Sequence, residues 1–401
     1  MRFVPRALAG QILRAARSFP AVVLTGPRRS GKTTLLRRLF PRADYRLLED
    51  PDVVARVRAD PRAFLAELRP PAILDEIQHV PEILAYVRTL VDRRPARVGQ
   101  WFLTGSREAP LMGGVTESMA GRAAVLQLWP LSLRESAKVS LLRGGFPEVL
   151  ARPGAADLWF SSYVQTYLER DVRAVTQIRD LSTFRRFLGL VASRTGQVLN
   201  RTDLAAPLGV SIPTVSQWLS ILEVTAQILI VPPYFESFGK RLVKSPKVYL
   251  ADSGLACHLL GLESPRALER SPFLGPVFEG FVASEIAKQQ ANAGRRRELY
   301  FFRDQRGLEV DFLVPEGGRL LLVEAKATRT PTPAMAEPVA RLAAAVRGRP
   351  ARGLLVHRGE GGLAALRPGV AAVAVEDLRL GGESRAAARR PDGSSPARVR
   401  P

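Results

Sequence analysis

The stretch from Gly26 to Thr33 constrains this chain more than any other part of its sequence. It reads GPRRSGKT, so Gly26, Gly31, Lys32 and Thr33 form the pattern G-x-x-x-x-G-K-T. The apolar run AVVLT precedes it and leucines at helical spacing follow it, which predicts a loop between a buried strand and a helix. In that setting, N–H groups of the loop and of the helix terminus wrap a polyphosphate. A turn without a ligand is the alternative interpretation.

Two side chains of this loop have specific expected roles. Lys32 is long enough to reach terminal phosphates, and the Thr33 hydroxyl is placed to bind Mg²⁺. The other positions bring backbone groups to the phosphates. The predicted nucleotide-binding residues are Gly26, Pro27, Arg28, Arg29, Ser30, Gly31, Lys32, Thr33 and Thr34.

Two adjacent acids end the next apolar run, which reads AILDEIQ from residue 72 to residue 78. In a parallel α/β sheet, ligands bind at the carboxyl ends of the strands, so Asp75 and Glu76 are expected near the phosphate loop. We expect Asp75 to hold Mg²⁺ through water or through Thr33. Glu76 is the candidate general base for the attacking water. Ordinary structural acids are the alternative.

Two further features follow in the same part of the chain. Residues 100–107, QWFLTGSR, predict a strand whose final threonine or serine could sense a γ-phosphate by a hydrogen bond. Arg122 stands before the apolar run 123–128 and is a candidate for charge stabilisation, in cis or across a subunit interface. An ordinary surface arginine is the alternative interpretation.

Together these motifs resemble a known family. The segments GPRRSGKTT, ILDEIQ, FLTGSRE, GRAAVLQLWPLSLRE and GGFPEVL are similar to prokaryotic AAA-family ATP-binding proteins with a C-terminal domain of unknown function. The resemblance extends from about residue 15 to about residue 375 and continues in YVQTYLERDV and KRLVKSPKVYLADSGL. It implies an AAA-type domain with ATP and Mg²⁺ as cofactors, and it leaves the substrate open.

Helical spacing of apolar residues follows the ATPase motifs. It predicts helices over 128–142 and 158–171, separated by a Gly-Gly-Phe-Pro turn, which suits a helical lid and connector. Residues 202–207, 208–210 and 211–222 then read as helix, turn and helix, with Ser211 as N-cap and a wing strand over 226–231.

This helix-turn-helix pattern has two interpretations, DNA contact and packing between domains. The second helix would expose four polar residues, none of them basic, which weakens readout of DNA by that helix. Those four are Thr214, Ser216, Gln217 and Ser220, and the better candidate phosphate partners after them are Lys240, Arg241, Lys244 and Lys247.

A second group of charged residues lies in the C-terminal third. Glu279 falls on a predicted helix, Asp311 on the second strand of a predicted hairpin, and Glu324 and Lys326 two apart on the next strand. This order resembles the PD-(D/E)xK nuclease fold. Asp311 and Glu324 would then hold a divalent metal that Glu279 completes or orients. Lys326 would activate water or steady the phosphorane. An ordinary charged hairpin, or a nuclease fold without activity, is the alternative.

Composition bounds the environment and the partners. The net charge is +21, from 59 lysines and arginines against 38 acids, which suits a DNA partner, although an arginine-rich host composition explains it equally well. The single Cys257 fits a reducing cytoplasm. Without an apolar run long enough to cross a bilayer, no membrane partner is expected. A homo-oligomer is a candidate assembly.

The sequence thus predicts an α/β multidomain protein. We expect a P-loop AAA-type parallel-sheet ATPase core over 1–130, a helical lid and connector over 131–185, a winged helix-turn-helix over 186–247, a restriction-endonuclease-like α/β domain over 248–378 and a disordered basic tail over 379–401. The predicted function is an ATPase that acts on DNA through a Mg²⁺-dependent nuclease-like domain. The alternatives are a nucleotide-switched protein that binds nucleic acid or protein without cleavage, and an operator-binding regulator.

Overall fold

The computed structural model describes residues 3–105, 118–168, 181–234, 244–361 and 364–381. Several predicted features lie outside these ranges. They are the polar end of the strand after residue 105, the end of the helix predicted over 158–171, Lys240, Arg241 and the tail from residue 382.

The N-terminal part is a five-stranded parallel sheet in the order β2-β3-β4-β1-β5, with helices on both faces. Strand β1, which lies between β4 and β5, is buried on both sides. Ala21 and Val23 face one apolar cluster, and Val22 and Leu24 face another. This confirms the predicted parallel-sheet P-loop fold. The elements are α1 (Ala9–Ser18), β1 (Ala21–Thr25), α2 (Lys32–Leu39), β2 (Asp44–Leu47), α3 (Pro51–Ala59), α4 (Pro61–Ala66), β3 (Ala72–Asp75), α5 (Ile83–Arg93), β4 (Trp101–Thr104) and β5 (Ala123–Gln127).

The linking segment, residues 128–146, differs from the sequence prediction. The helix expected over 128–142 is absent; these residues form turns and one β-bridge between Ser140 and Gly144. Their backbone groups bond to distant parts of the chain, as in Leu128 N–H to Thr25 O at 2.8 Å and Leu131 N–H to Gly145 O at 2.8 Å. The helical spacing of apolar residues therefore reflects tertiary packing, and Pro130 also removes a backbone donor.

Short helices and a small sheet follow. In the three-stranded unit, β6, β8 and β7 pair antiparallel in that order, and three helices cover them around Phe184, Phe187 and Trp218. Ser211 caps the third helix by accepting from Thr214 N–H at 3.2 Å. The elements are α6 (Pro147–Ala151), α7 (Ala156–Tyr163) with a π-helical continuation (Val164–Leu168), α8 (Leu181–Ser193), β6 (Gln197–Val198), α9 (Arg201–Ala205), α10 (Ile212–Val224), β7 (Ile228–Val231) and β8 (Lys247–Leu250). Strand β8 begins at Lys247 and pairs with β7, so the domain boundary predicted after residue 247 lies inside this strand.

The C-terminal part is a six-stranded mixed sheet in the order β13-β14-β12-β11-β10-β9. Strands β9, β10 and β11 form an antiparallel meander, and β11, β12 and β14 run parallel. The long helix α13 is buried along most of its length and shares one apolar cluster with this sheet, β8 and the linking segment. The elements are α11 (Ser253–Leu259), α12 (Pro265–Arg270), α13 (Leu274–Asn292), β9 (Tyr300–Arg303), β10 (Glu309–Glu316), β11 (Arg319–Lys326), α14 (Glu337–Ala345), β12 (Ala351–His357), β13 (Ala364–Arg367) and β14 (Val370–Ala374).

Among the residues that the structure describes, none of the helices combines the length and the apolar character needed to span a bilayer.

Candidate functional site

The phosphate loop connects β1 to α2, as the motif predicts. Gly26 and Gly31 have φ angles of 142° and 95°, a region that side chains with a Cβ rarely adopt. A Cβ on Gly26 would lie 2.1 Å from the carbonyl oxygen of Leu128, so only glycine fits there. Lys32 is buried, and its Nζ donates to the carbonyl oxygens of Gly26 and Pro27, each at 3.1 Å. The lysine is therefore folded back along the loop that it would use to hold phosphates.

The acid at the end of β3 meets the loop. Thr33 Oγ1 lies 3.0 Å from Oδ1 and 2.8 Å from Oδ2 of Asp75, and the hydroxyl of Tyr45 donates to Oδ2 at 2.8 Å. The Thr104 hydroxyl, at the end of β4, also donates to Asp75. The carboxylate is thus held by three hydroxyl groups, one from helix α2 and two from strands β2 and β4. Burial and the neighbouring Asp75 raise the pKa of Tyr45 well above its usual value, so this hydroxyl remains a donor.

Glu76 occupies an unusual backbone position beside Asp75. Its φ is 59°, and its N–H donates to Thr104 Oγ1 at 3.2 Å. Burial pushes the pKa of Glu76 upward, but Lys32, the amide of Gln78 and Arg28 outweigh it, so the pKa lies below its ordinary value. The side chain is therefore a carboxylate at neutral pH, as a general base must be.

One cavity of about 820 Å³ connects these groups. It is lined by the phosphate loop, by Asp75 and Glu76, and by apolar residues of the N-terminal segment, the linking segment and α6, namely Phe3, Val4, Leu131 and Pro147. Thr104, at the end of β4, contacts the two acids: its hydroxyl donates to Asp75 and accepts the N–H of Glu76. Mg²⁺ favours hydroxyl, carboxylate and phosphate oxygens, and Thr33 with Asp75 supplies two of these donors at the loop.

Sequence reasoning missed Arg6, a buried residue behind the phosphate loop. Its guanidinium donates through Nη1 to the carbonyl oxygen of Ser30 at 2.8 Å, through Nη2 to that of Trp129, and through Nε to Glu135 at 3.0 Å. Arg6 therefore ties the loop to the linking segment. The only signal for it was a basic start to the chain, which has no motif.

The structure separates Arg122 from the cavity. This residue precedes β5, whose first residue pairs with Ala21, whereas the phosphate loop follows the other end of β1. Strand rise puts roughly 15 Å between the two edges. The guanidinium instead donates to Asp92, through Nη2 at 3.0 Å and through Nε at 2.5 Å. This geometry does not support a role of Arg122 in cis; the role in charge stabilisation, in cis or across a subunit interface, stays a prediction.

A second site lies between helix α13 and the C-terminal sheet. We call it the carboxylate cluster, and it consists of Glu279, Glu309, Asp311 and Glu324. Asp311 Oδ2 accepts the N–H of Ala325 at 2.9 Å, which ties β10 to β11. Glu324 Oε1 and Lys326 Nζ are 2.7 Å apart, on one face of β11. The structure brings together the residues that the nuclease-like order singled out.

Lys247 is the residue of this cluster that sequence reasoning assigned wrongly. It was expected to contact DNA phosphates, but only 2% of it is exposed. Its Nζ lies 2.9 Å from Glu279 Oε1, 2.6 Å from Glu309 Oε1 and 3.7 Å from Asp311 Oδ1. Tyr249, on the same face of β8, donates to Glu279 as well. Lys244 is exposed and remains a candidate phosphate partner.

Burial governs the protonation of the cluster. Burial, followed by repulsion from Asp311, raises the pKa of Glu279 to about 7 and the pKa of Glu324 to about 8. Burial opposes the charge of Lys247, but the carboxylates around it outweigh that effect and raise its pKa above the usual value. The burial of Glu279, Asp311 and Glu324 close to one another explains why the pKa values of both glutamates are raised.

The cluster has a limited fit to a divalent metal. In the part of the chain that the structure describes, no three His, Cys, Asp or Glu side chains are arranged to hold a metal ion. Glu324 Oε2, however, is buried and has no hydrogen-bond partner among those residues. An unpaired buried carboxylate oxygen calls for a donor or a cation. Asp311 and Glu324 are therefore the two residues that fit a metal.

Comparison with known families divides the chain into three. An AAA domain matches residues 18–137, a domain of unknown function (DUF8612) matches residues 134–266, and another (DUF4143) matches residues 274–375. Two uncharacterized mycobacterial proteins, Rv2008c of Mycobacterium tuberculosis and Mb2031c of Mycobacterium bovis, are each 35% identical over 334 residues, which is 82% of this chain and 75% of theirs. The chain belongs to their family.

Two more distant similarities complete the comparison. An uncharacterized protein of Haemophilus influenzae is 23% identical over 286 residues, covering 60% of this chain and 69% of its own length. The Walker-type ATPase PABY2304 of Pyrococcus abyssi is 16% identical, with 63% of this chain and 94% of that chain covered, and a TM-score of 0.39 that supports no structural inference. The AAA match, together with the parallel sheet, confirms the P-loop ATPase prediction for the N-terminal part.

Proposed function

We propose that this protein binds ATP with Mg²⁺ at the phosphate loop and hydrolyses it. The observation that carries the proposal is the direct contact of Thr33 with Asp75 in the cavity that also holds Lys32 and Glu76. Lys32 would exchange the carbonyl oxygens of the loop for phosphate oxygens. Thr33 and Asp75 would hold Mg²⁺, which neutralises developing phosphate charge, and Glu76 would orient and deprotonate the attacking water.

Turnover measurements on Glu76→Gln test this assignment. Removing a general base is expected to lower ATP turnover by roughly 100-fold or more while nucleotide binding is retained. Glu82→Gln is the matched control, since Glu82 is a half-exposed acid of the same sheet unit whose contact is Arg58 at 3.6 Å. Turnover in Glu76→Gln equal to that of the control would remove Glu76 from the reaction.

We further propose that the C-terminal part acts on DNA through a nuclease-like site. Support comes from the acid-bearing helix α13, Asp311 on β10 and Glu324-x-Lys326 on β11, which converge in the order that the PD-(D/E)xK resemblance requires. Asp311 and Glu324 would hold a divalent metal, which lowers the pKa of a bound water. Lys326 would stabilise the negative charge that develops on the phosphate.

A cleavage assay on varied DNA structures tests the second proposal. Cleavage with Mg²⁺ or Mn²⁺ is expected for the unmodified protein and is expected to be lost in Lys326→Ala. Lys138→Ala, an exposed lysine of the linking segment, is the matched control. If no DNA or RNA is cut with or without ATP, the nuclease half of the proposal fails.

A nucleotide-switched binding protein without cleavage is the second candidate function. The position of Lys247 favours it, because an ammonium group already neutralises much of the carboxylate cluster. We propose that the three-stranded unit is a winged helix, on the basis of its helix and strand order and the capped helix α10. DNA binding that survives Lys326→Ala, without cleavage by the unmodified protein, would favour this function. The net charge of +21 supports a DNA partner in either case.

A further inference from the structure

One cation of the carboxylate cluster comes from outside the C-terminal sheet. Lys247 is the first residue of β8, which pairs with β6 and β7 in the three-stranded unit. Its side chain is only 3% exposed and ends among acids carried by α13 and β10. The three-stranded unit therefore contributes one positive charge to the cluster, in addition to Lys326 and Arg303 of the C-terminal sheet.

Carboxylates of three acids face this ammonium. Of its three N–H donors, two have close acceptors, Glu279 at 2.9 Å and Glu309 at 2.6 Å, and Asp311 adds an ion pair at 3.7 Å. The ring of Phe301 covers it, with its centroid 5.6 Å from Nζ. A strongly hydrated point charge is buried only with close counter-charges, so these carboxylates hold Lys247 in its place.

Glu324 is the one acid of the cluster that the Lys247 ammonium does not contact in the described part of the chain. Glu324 contacts Lys326, and its Oε2 is buried and without a hydrogen-bond partner in the described part of the chain. Oδ1 of Asp311 lies 3.7 Å from Lys247 Nζ. A divalent cation binding beside Glu324 would thus meet Asp311 already engaged, and would find Glu279 and Glu309 taken by Lys247.

We propose that Lys247 is a built-in counter-cation of the carboxylate cluster, with which a divalent metal must compete for Glu279, Glu309 and Asp311. This inference rests on the proposed metal site at Asp311 and Glu324 and adds its regulation. In this arrangement the cluster binds divalent metal weakly, and displacement of the Lys247 ammonium frees the acids. Lys247 is a positioning residue, which makes metal loading depend on the three-stranded unit.

Calorimetric titration of the full chain with Mn²⁺, in the absence of nucleotide and DNA, tests the inference. Lys247→Met keeps the length and apolar stem of the side chain and removes the charge, so Mn²⁺ is expected to bind at least about tenfold more tightly than to the unmodified protein. Lys247→Arg keeps the charge and is expected to keep weak binding. Lys138→Met is the matched exposed control, and Asp311→Asn locates the binding at the cluster.

A second measurement needs no variant and covers the case in which Lys247→Met does not fold. In the unmodified protein, Lys247 is expected to resist an amine-labelling reagent until Mn²⁺ is added, and then to label several-fold faster, as read by peptide mass spectrometry. Unchanged labelling with Mn²⁺ bound, or Mn²⁺ affinity in Lys247→Met no higher than in Lys247→Arg, would overturn the inference.

These readouts separate this inference from the proposed nuclease activity. Tighter Mn²⁺ binding by Lys247→Met without DNA cleavage by any form of the protein would support the counter-cation and remove the nuclease. DNA cleavage by the unmodified protein, with Mn²⁺ affinity unaffected in Lys247→Met, would give the opposite result.

Discussion

The phosphate-loop site and the carboxylate cluster solve the burial of acids in different ways. In the first, Asp75 is held by hydroxyl groups from α2 and from strands of the parallel sheet, beside a cavity. In the second, acids from α13 and β10 are held by an ammonium group from another sheet. Hydroxyl partners leave a carboxylate its full negative charge, whereas an internal cation cancels part of it. The first site is therefore ready for a cation and the second already contains one.

Lys32→Ala is expected to have the largest effect and to fall entirely on the first site. It removes the charged donor that the loop provides for phosphates, so ATP affinity should fall roughly 100-fold or more. Titration with a fluorescent ATP analogue measures it, with Lys138→Ala as the control. Mn²⁺ binding by the carboxylate cluster without nucleotide should not change, and a parallel loss there would contradict the independence of the two sites.

The rigidity of the loop predicts the next effect, on stability. Gly26→Ala would place a Cβ 2.1 Å from a backbone oxygen of the linking segment, at a φ of 142°. We expect a loss of about 3 kcal/mol in the free energy of unfolding. Gly10→Ala is the matched control, because nothing lies within 4 Å of a Cβ at Gly10 and the residue is inside α1. Equal denaturation midpoints for the two variants would contradict the tight contact.

The two sites should also respond to pH with opposite sign. Burial and Asp311 raise the pKa of Glu324 to about 8, so its ionisation destabilises the folded protein as pH rises from about 4.5 through 8. The pKa of Glu76 is lowered by Lys32 and Gln78 against burial, so its contribution is present above its unfolded pKa and is lost as pH falls.

Melting temperatures between pH 4 and pH 9 check this difference. Glu324→Gln is expected to gain stability relative to the unmodified protein at pH 8.5, by roughly 2 kcal/mol, and to lose that advantage near pH 5. Glu76→Gln is expected to lose stability at neutral pH and to approach the unmodified protein toward pH 4. Parallel pH profiles for the two variants would contradict the assigned shifts.

The same comparison explains how far sequence could predict this molecule. The phosphate loop, the acids after β3 and the helix-turn-helix are encoded by neighbouring residues with fixed spacing, and the structure has the expected elements there. The prediction of a helix in the linking segment was wrong because its apolar residues, although spaced as in a helix, contact β1 and α13 from an irregular backbone. Its polar contacts are equally distant, as in Lys288 Nζ to Leu131 O at 3.1 Å.

Lys247 shows the same limit at the level of one residue. In sequence it follows a basic stretch and resembles a surface lysine, and only the pairing of β8 with β7 turns it toward Glu279. No local pattern distinguishes a buried lysine with carboxylate partners from an exposed one. Partners 32 and 64 residues away along the chain, such as Glu279 and Asp311, become visible only in the fold.

Arg122→Ala carries the smallest expected effect and decides whether the first site is complete within one subunit. Its guanidinium contacts Asp92 at the far edge of the sheet, so ATP turnover measured at low protein concentration should change less than about twofold. If turnover instead rises with protein concentration and Arg122→Ala abolishes that rise, the arginine acts across a subunit interface. Mixing Arg122→Ala with Lys32→Ala would then restore activity, because one variant supplies the arginine and the other the intact loop.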